Sequence, residues 1–76
     1  MDLQDFLKKF AEEIGVAPEE ISAETRFRTL PTWTSLQALM VLSMIEEEFG
    51  VLLHSEDFKK SETLGDIFRI VAEKKN

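Results

Sequence analysis

Between Pro31 and Gly50 the sequence reads PTWTSLQALMVLSMIEEEFG, with no glycine or proline inside it, and this stretch limits the chain's possible folds more than any other. It predicts one long amphipathic helix. Thr34 suits the N-cap, because its hydroxyl can accept from a free backbone N–H of the first turn. Ser35 then takes the first helical position, and Gly50 suits a left-handed exit. Ser35–Phe49 makes about four turns, roughly 22 Å. At 100° per residue, Ala38, Val41, Leu42, Ile45 and Phe49 share one side, an ordinary core stripe. Leu36, Met40 and Glu47 share the opposite side, flanked by Ser43 and Met44. One stripe satisfies a surface helix, so a second needs a reason. Periodicity favours a bundle that wraps the helix from two sides. The sharper alternative is a partner-docking patch, a use to which flexible Met is suited.

The other segments are short enough to wrap this helix. The chain, residues 1–76, reads as a single domain with one small core. Asp2–Gly15 predicts a first helix, with Leu3, Phe6, Leu7, Phe10 and Ile14 at helical spacing and Lys8, Lys9, Glu12 and Glu13 opposite. Val16–Leu30 is a long connection in which Pro18 opens a turn before Glu19 and Glu20. Ile21, Phe27 and Leu30 anchor it, because so long an irregular stretch needs tethering. Arg26 and Arg28 flank Phe27 and are expected to point outward. Val51–Leu53 is a short apolar segment with no evident partner strand. Ser55 is expected to cap a brief turn, Glu56–Lys60, with Phe58 as its apolar contact. Thr63 is expected to cap a last helix ending near Lys74, striped by Leu64, Ile67, Phe68 and Val71 with Ile70 at the margin. The fold class is therefore all-α, a four-helix bundle of three longer helices and one short, with a long first crossover.

Charge narrows the partners. The net charge is −6, and the distribution is uneven. Residues 35–50 hold three acidic groups and no basic one, whereas residues 51–76 hold five of each. An acidic surface around Glu46 and Glu47 repels nucleic acid and anionic membranes and favours basic partners, or else serves simply as a solvated, solubilising face. No apolar run is long enough to cross a membrane, and the N-terminus is unlike a secretory signal. A cytoplasmic monomer is the expectation.

Catalytic groups are scarce. His54 is the only histidine, and there is no cysteine. No nucleophile–base pair, transition-metal set, calcium loop or glycine-rich phosphate loop is evident, so no catalytic and no metal residues are assigned. Ser35 is the exception. A hydroxyl at a helix N-terminus is placed to carry a phosphate, because the free N–H groups and the dipole favour negative charge there. Taken alone, it reads first as a serine of the capping region, where Ser and Thr are common.

The segment W-T-S-L-Q-A-L-M-V-L-S-M-I-E-E-E-F-G-V resembles the second helix of acyl carrier proteins. That family carries a D-S-L motif followed by an apolar and acidic helix often ending E-E-E-F. Ser35-Leu36 and Glu46-Glu47-Glu48-Phe49 match at that separation. The resemblance covers the whole chain: I-G-V ends the first helix, P-E-E-I follows, Phe27 and Leu30 lie in the crossover, and T-L-G-D-I opens the last helix. It implies that Ser35 receives a 4′-phosphopantetheine arm from coenzyme A through a phosphopantetheinyl transferase. The arm's thiol then presents a thioester-linked acyl or aminoacyl group, and the carrier itself catalyses nothing. It further implies that Leu36, Met40 and Glu47, with the acidic Glu46, meet acyl-activating or acyl-transferring enzymes bearing basic docking patches. Fatty-acid, polyketide, nonribosomal-peptide and D-alanyl carriers share this scaffold, and the cargo stays open.

Two departures from the family pattern matter. Thr34 replaces the usual Asp, which keeps the cap but removes a charge beside Ser35. Met40 and Gln37 stand where fatty-acid-synthesis members commonly carry acids, which suggests a specialised carrier. The alternative is an unmodified helical interaction module with an acidic docking face. Six Phe residues, mostly at core-facing positions, predict a core that resists entry of a long acyl chain.

Overall fold

The computed structural model describes residues 2–75. It holds four α-helices and, among the described residues, no β-strand. Helix α1 spans Leu3–Ile14, α2 Ser35–Phe49, α3 Ser55–Lys60 and α4 Leu64–Lys75.

Caps set most of these boundaries. The Asp2 carboxylate accepts the Asp5 N–H at 2.7 Å at the start of α1. Thr34 Oγ1 accepts the Gln37 N–H at 3.1 Å at the start of α2. Both helices end on a left-handed glycine, Gly15 at φ 78° and Gly50 at φ 68°, a region that costs an L-residue about 1–2 kcal/mol. At α4 the box is reciprocal. Thr63 Oγ1 accepts the Asp66 N–H at 3.2 Å, while Asp66 Oδ2 accepts the N–H groups of Glu62 and Thr63 at 2.9 and 3.0 Å.

One local expectation is corrected. Ser55 does not cap α3; it is the first helical residue, and His54 holds the N-cap position. The cap comes from inside the helix, where Asp57 Oδ2 reaches back to the His54 N–H at 2.8 Å. Val51–Leu53 forms no strand. Val51 and Leu53 are buried while Leu52 is 58% exposed, so the segment plugs the bundle with alternate side chains.

The long crossover is tethered by the expected anchors. A 3₁₀ turn at Pro18–Glu20 leads to buried Ile21, and a second at Phe27–Thr29 buries Phe27. Its backbone is also stitched to the start of α4, by Leu64 N–H to Thr25 O at 3.0 Å and Gly65 N–H to Ala23 O at 2.8 Å. Arg28 is exposed, as expected, but its guanidinium is engaged. Its Nη2 donates to the Phe58 and Ser61 carbonyls at 2.6 Å each, and to Lys59 O at 3.2 Å. Those oxygens lie at the C-terminal end of α3, where a cation is favoured; Phe58 O also accepts the Ser61 N–H at 3.1 Å.

Helices α1 and α2 run antiparallel. Phe6 lies 6.0 Å from Phe49, and Phe10, one turn later, lies 6.1 Å from Trp33 before the start of α2. Phe68 of α4 closes on Phe6 at 5.6 Å. Phe6, Phe10 and Phe27 are essentially solvent-free. Truncating one such side chain to Ala costs about 3–5 kcal/mol. That is a large part of the roughly 5–15 kcal/mol that holds a domain together.

Candidate functional site

The wrapping of α2 is one-sided. Val41, Ile45 and Phe49 are buried as expected, and Ala38 and Leu42 are half-buried. Met44, assigned by periodicity to the flank of the outer face, is buried instead. The opposite face stays open: Leu36 is 66% exposed, Leu39 60% and Met40 46%. The expectation of a bundle covering α2 from both sides is therefore overturned. Leu39, which periodicity did not single out, belongs to this apolar face.

Along that face Leu36, Met40, Ser43 and Glu47 form one line at i, i+4, i+7 and i+11, about 16 Å from end to end. The acidic end is smaller than the sequence suggests. Lys9 Nζ pairs with Glu48 Oε1 at 3.3 Å, across the α1–α2 seam. Hydrogen bonding to Glu48, then its charge and that of Glu12, hold the Lys9 ammonium above the ordinary lysine range. Glu46 and Glu47 are exposed and have no ion-pair partner among the described residues.

Ser35 stands at the head of this helix, exposed, at the first helical position. Thr34 Oγ1 takes the Gln37 N–H and Thr34 O takes the Ala38 N–H. The N–H groups of Ser35 and Leu36 find no protein acceptor among the described residues. The first turn carries no acidic side chain. An exposed hydroxyl beside free N–H donors, at the positive end of a helix of about four turns, fits a phosphodiester at Ser35 Oγ.

Behind Ser35 the loop is anchored by Trp33. Its indole stacks on Phe10 with planes 9° apart and meets Phe27 and Phe58 edge-on at 5.1 and 5.8 Å. A cleft of about 380 Å³ lies elsewhere, lined by Leu3, Leu7, Pro18 and Ile21 among others, and takes no residue from α2. His54 sits exposed before α3. No helix among the described residues is long and apolar enough to cross a membrane.

The family model described as "Phosphopantetheine attachment site" matches residues 4–71. Among curated relatives, the proteins named "Acyl carrier protein" from Chlamydia trachomatis serovar D and serovar A are each 26% identical over 77 residues, covering 100% of both chains.

Proposed function

This chain belongs to the phosphopantetheine attachment-site family of acyl carrier proteins, whose cofactor is covalent 4′-phosphopantetheine, and we propose that Ser35 is the residue that bears it here. The observation that carries this reading is the exposed Ser35 hydroxyl at the start of α2, beside the unpartnered N–H groups of Ser35 and Leu36. When bound, the group supplies a terminal thiol that holds acyl cargo as a thioester. The residues of the chain position it. Thr34 fixes the first turn, the helix N-terminus stabilises the phosphodiester charge, and Trp33 holds the preceding loop against the bundle.

The exposed face of α2 is the docking surface in this proposal. Leu36, Leu39 and Met40 offer apolar contact, and Glu46 and Glu47 offer charge to a basic patch. A phosphopantetheinyl transferase and the enzymes that load and unload cargo are the partners. Met40 and Gln37, where fatty-acid-synthesis carriers commonly have acids, favour a specialised set of enzymes. Short or polar acyl and aminoacyl groups are the proposed cargo, in keeping with the ring-filled core.

Incubation with coenzyme A and a general phosphopantetheinyl transferase tests the assignment by intact mass. The wild type should gain one arm, and Ser35→Ala should gain none while folding normally. The second reading, an unmodified interaction module, is favoured by one feature, Thr34 in place of the family's Asp. Absence of any added mass, under conditions that modify a control carrier, would decide for it.

A further inference from the structure

The short helix α3 lacks the length to hold itself. Six residues cannot sustain a helix in water, so its tethers decide whether it stays in place. At its N-terminal end, the nearly buried Asp57 takes the His54 N–H and lies 3.7 Å from Lys74 of α4 and 3.8 Å from Lys60. In its middle, Phe58 is buried against Phe27 and Trp33. At its C-terminal end, Arg28 Nη2 donates to Phe58 O, Ser61 O and, at greater length, Lys59 O. The same guanidinium carbon lies 5.0 Å over the Phe27 ring. One side chain of the crossover thus joins the buried Ser61, whose hydroxyl donates to Asp57 O at 2.8 Å, in holding the C-terminal end of α3 over an aromatic cluster.

That cluster lies against the loop that carries the attachment serine. Trp33, two residues before Ser35, touches rings from α1, the crossover and α3. Phe58 is α3's only contribution to it. If the strap is released, α3 keeps its Asp57 tie to α4 and the Ser61 cap at its other end, but loses every link from that end to the crossover that Arg28 makes. Phe58 then leaves Trp33 and Phe27, and an apolar gap opens beside Ser35.

We propose that Arg28 is a positioning residue that pins α3 shut and thereby limits the length of apolar cargo the bundle admits. The cargo part rests on Ser35 bearing the arm; the pin itself does not. With the pin in place, the cluster is closed and an apolar cargo stays at the surface. Without it, lengthening the chain fills the gap left by Phe58.

The first experiment uses the unmodified protein and is independent of the arm. Compare wild type, Arg28→Gln and Arg28→Lys by amide hydrogen exchange and by acrylamide quenching of Trp33. Arg28→Gln should speed exchange in α3 at least about tenfold relative to the Phe6–Phe10 amides of α1, and should roughly double the quenching. Arg28→Lys, which keeps the cation but loses the planar group over the Phe27 ring, should fall between. Equal acceleration in α1 and α3, or no change in either, overturns the pin. The second experiment loads Ser35 with acyl-phosphopantetheine arms, acetyl to dodecanoyl, from the corresponding acyl-coenzyme A and a phosphopantetheinyl transferase. The thermal midpoint should stay flat with chain length in wild type and climb in Arg28→Gln. Equal slopes overturn the cargo limit. Failure to load Ser35 in either protein would instead overturn the functional reading and leave the first experiment to decide the pin.

Discussion

Lys9 reaches across from α1 to Glu48 at 3.3 Å, and in doing so divides the Glu46–Glu48 run into two carboxylates that face solvent and one that serves the fold. The two free ones sit at the far end of the apolar face, about 16 Å from Leu36. A partner that uses this face therefore needs its cations at one end and an apolar hollow at the other.

Charge reversal tests the division. With a general phosphopantetheinyl transferase as partner, Glu47→Lys should lower kcat/KM on the order of tenfold at low salt, since steering by a few charges acts on encounter. Glu48→Gln should change it far less, because that carboxylate is already paired. Added salt should narrow the gap between Glu47→Lys and wild type. A wild-type rate that is flat from low to high salt would remove electrostatics from the docking.

The apolar end gives a cleaner separation of binding from folding. Leu39 is 60% exposed, whereas Val41, two residues on, is fully buried. Leu39→Ala should shift stability by no more than about 0.5 kcal/mol, as exposed substitutions do. Val41→Ala removes buried methyl groups and should destabilise by at least about 1 kcal/mol. In transferase turnover the order should reverse, with Leu39→Ala slower than a Val41→Ala protein assayed while folded. Unfolding curves and initial rates on the same preparations decide it, and a Leu39→Ala rate equal to wild type would take this residue out of the docking face.

Most of the fold is legible in the sequence because its signals are local. Asp2, Thr34, Thr63, Gly15 and Gly50 each mark a helix end within a turn of where it acts. Ser35 is read differently. Its helical position follows from the cap, but the proposal that it bears the arm draws on the order and spacing of motifs along the whole chain. What escaped is long-range or ambiguous. Met44 lies about 80° around the helix from Leu36 and 100° from Ile45, so periodicity cannot say which neighbour covers it. Arg28 meets carbonyls some 30 residues later, a contact no local pattern records. Asp57 caps α3 from within, so the nearby Ser55 was the more obvious candidate. Whether the outer face of α2 is covered depends on where α1, α3 and α4 sit, and only their packing shows it open.

The α4 cap predicts an acid-labile contribution. Backbone N–H bonds from Glu62 and then Thr63 hold the Asp66 carboxyl below its usual pKa. A folded pKa below the unfolded one stabilises the protein at pH above the unfolded value, near about 3.9, and that stability is lost as pH falls through the folded value. Asp66→Asn should therefore be less stable than wild type at neutral pH. The two proteins should converge in acid, once Asp66 is protonated. Chemical unfolding at pH 7 and near pH 2 checks this, and an undiminished difference at the lower pH would show that charge is not what the cap uses.

Thr34 offers the sharpest test of how the proposed attachment site departs from its family. The Thr34 hydroxyl already caps α2, and Asp is at least as good a cap, so Thr34→Asp should keep the 3.1 Å bond to the Gln37 N–H. It also adds the charge that the first turn of α2 lacks. Carboxylates at a helix N-terminus contribute about 0.3–1 kcal/mol when exposed, so the variant should be slightly more stable than wild type. The same carboxylate has a second effect, on Ser35. It restores the family's usual D-S-L sequence, so a general transferase should modify Thr34→Asp faster than wild type. It would also stand beside the phosphodiester once formed, and like charges there weaken the gain in stability after modification. Unfolding before and after modification separates these effects, with the variant's advantage shrinking in the modified form. Initial rates at equal salt then report recognition alone. A variant that is more stable yet modified no faster would mean that Thr34 is no handicap to recognition, and that its selection lies with a transferase that does not read that charge.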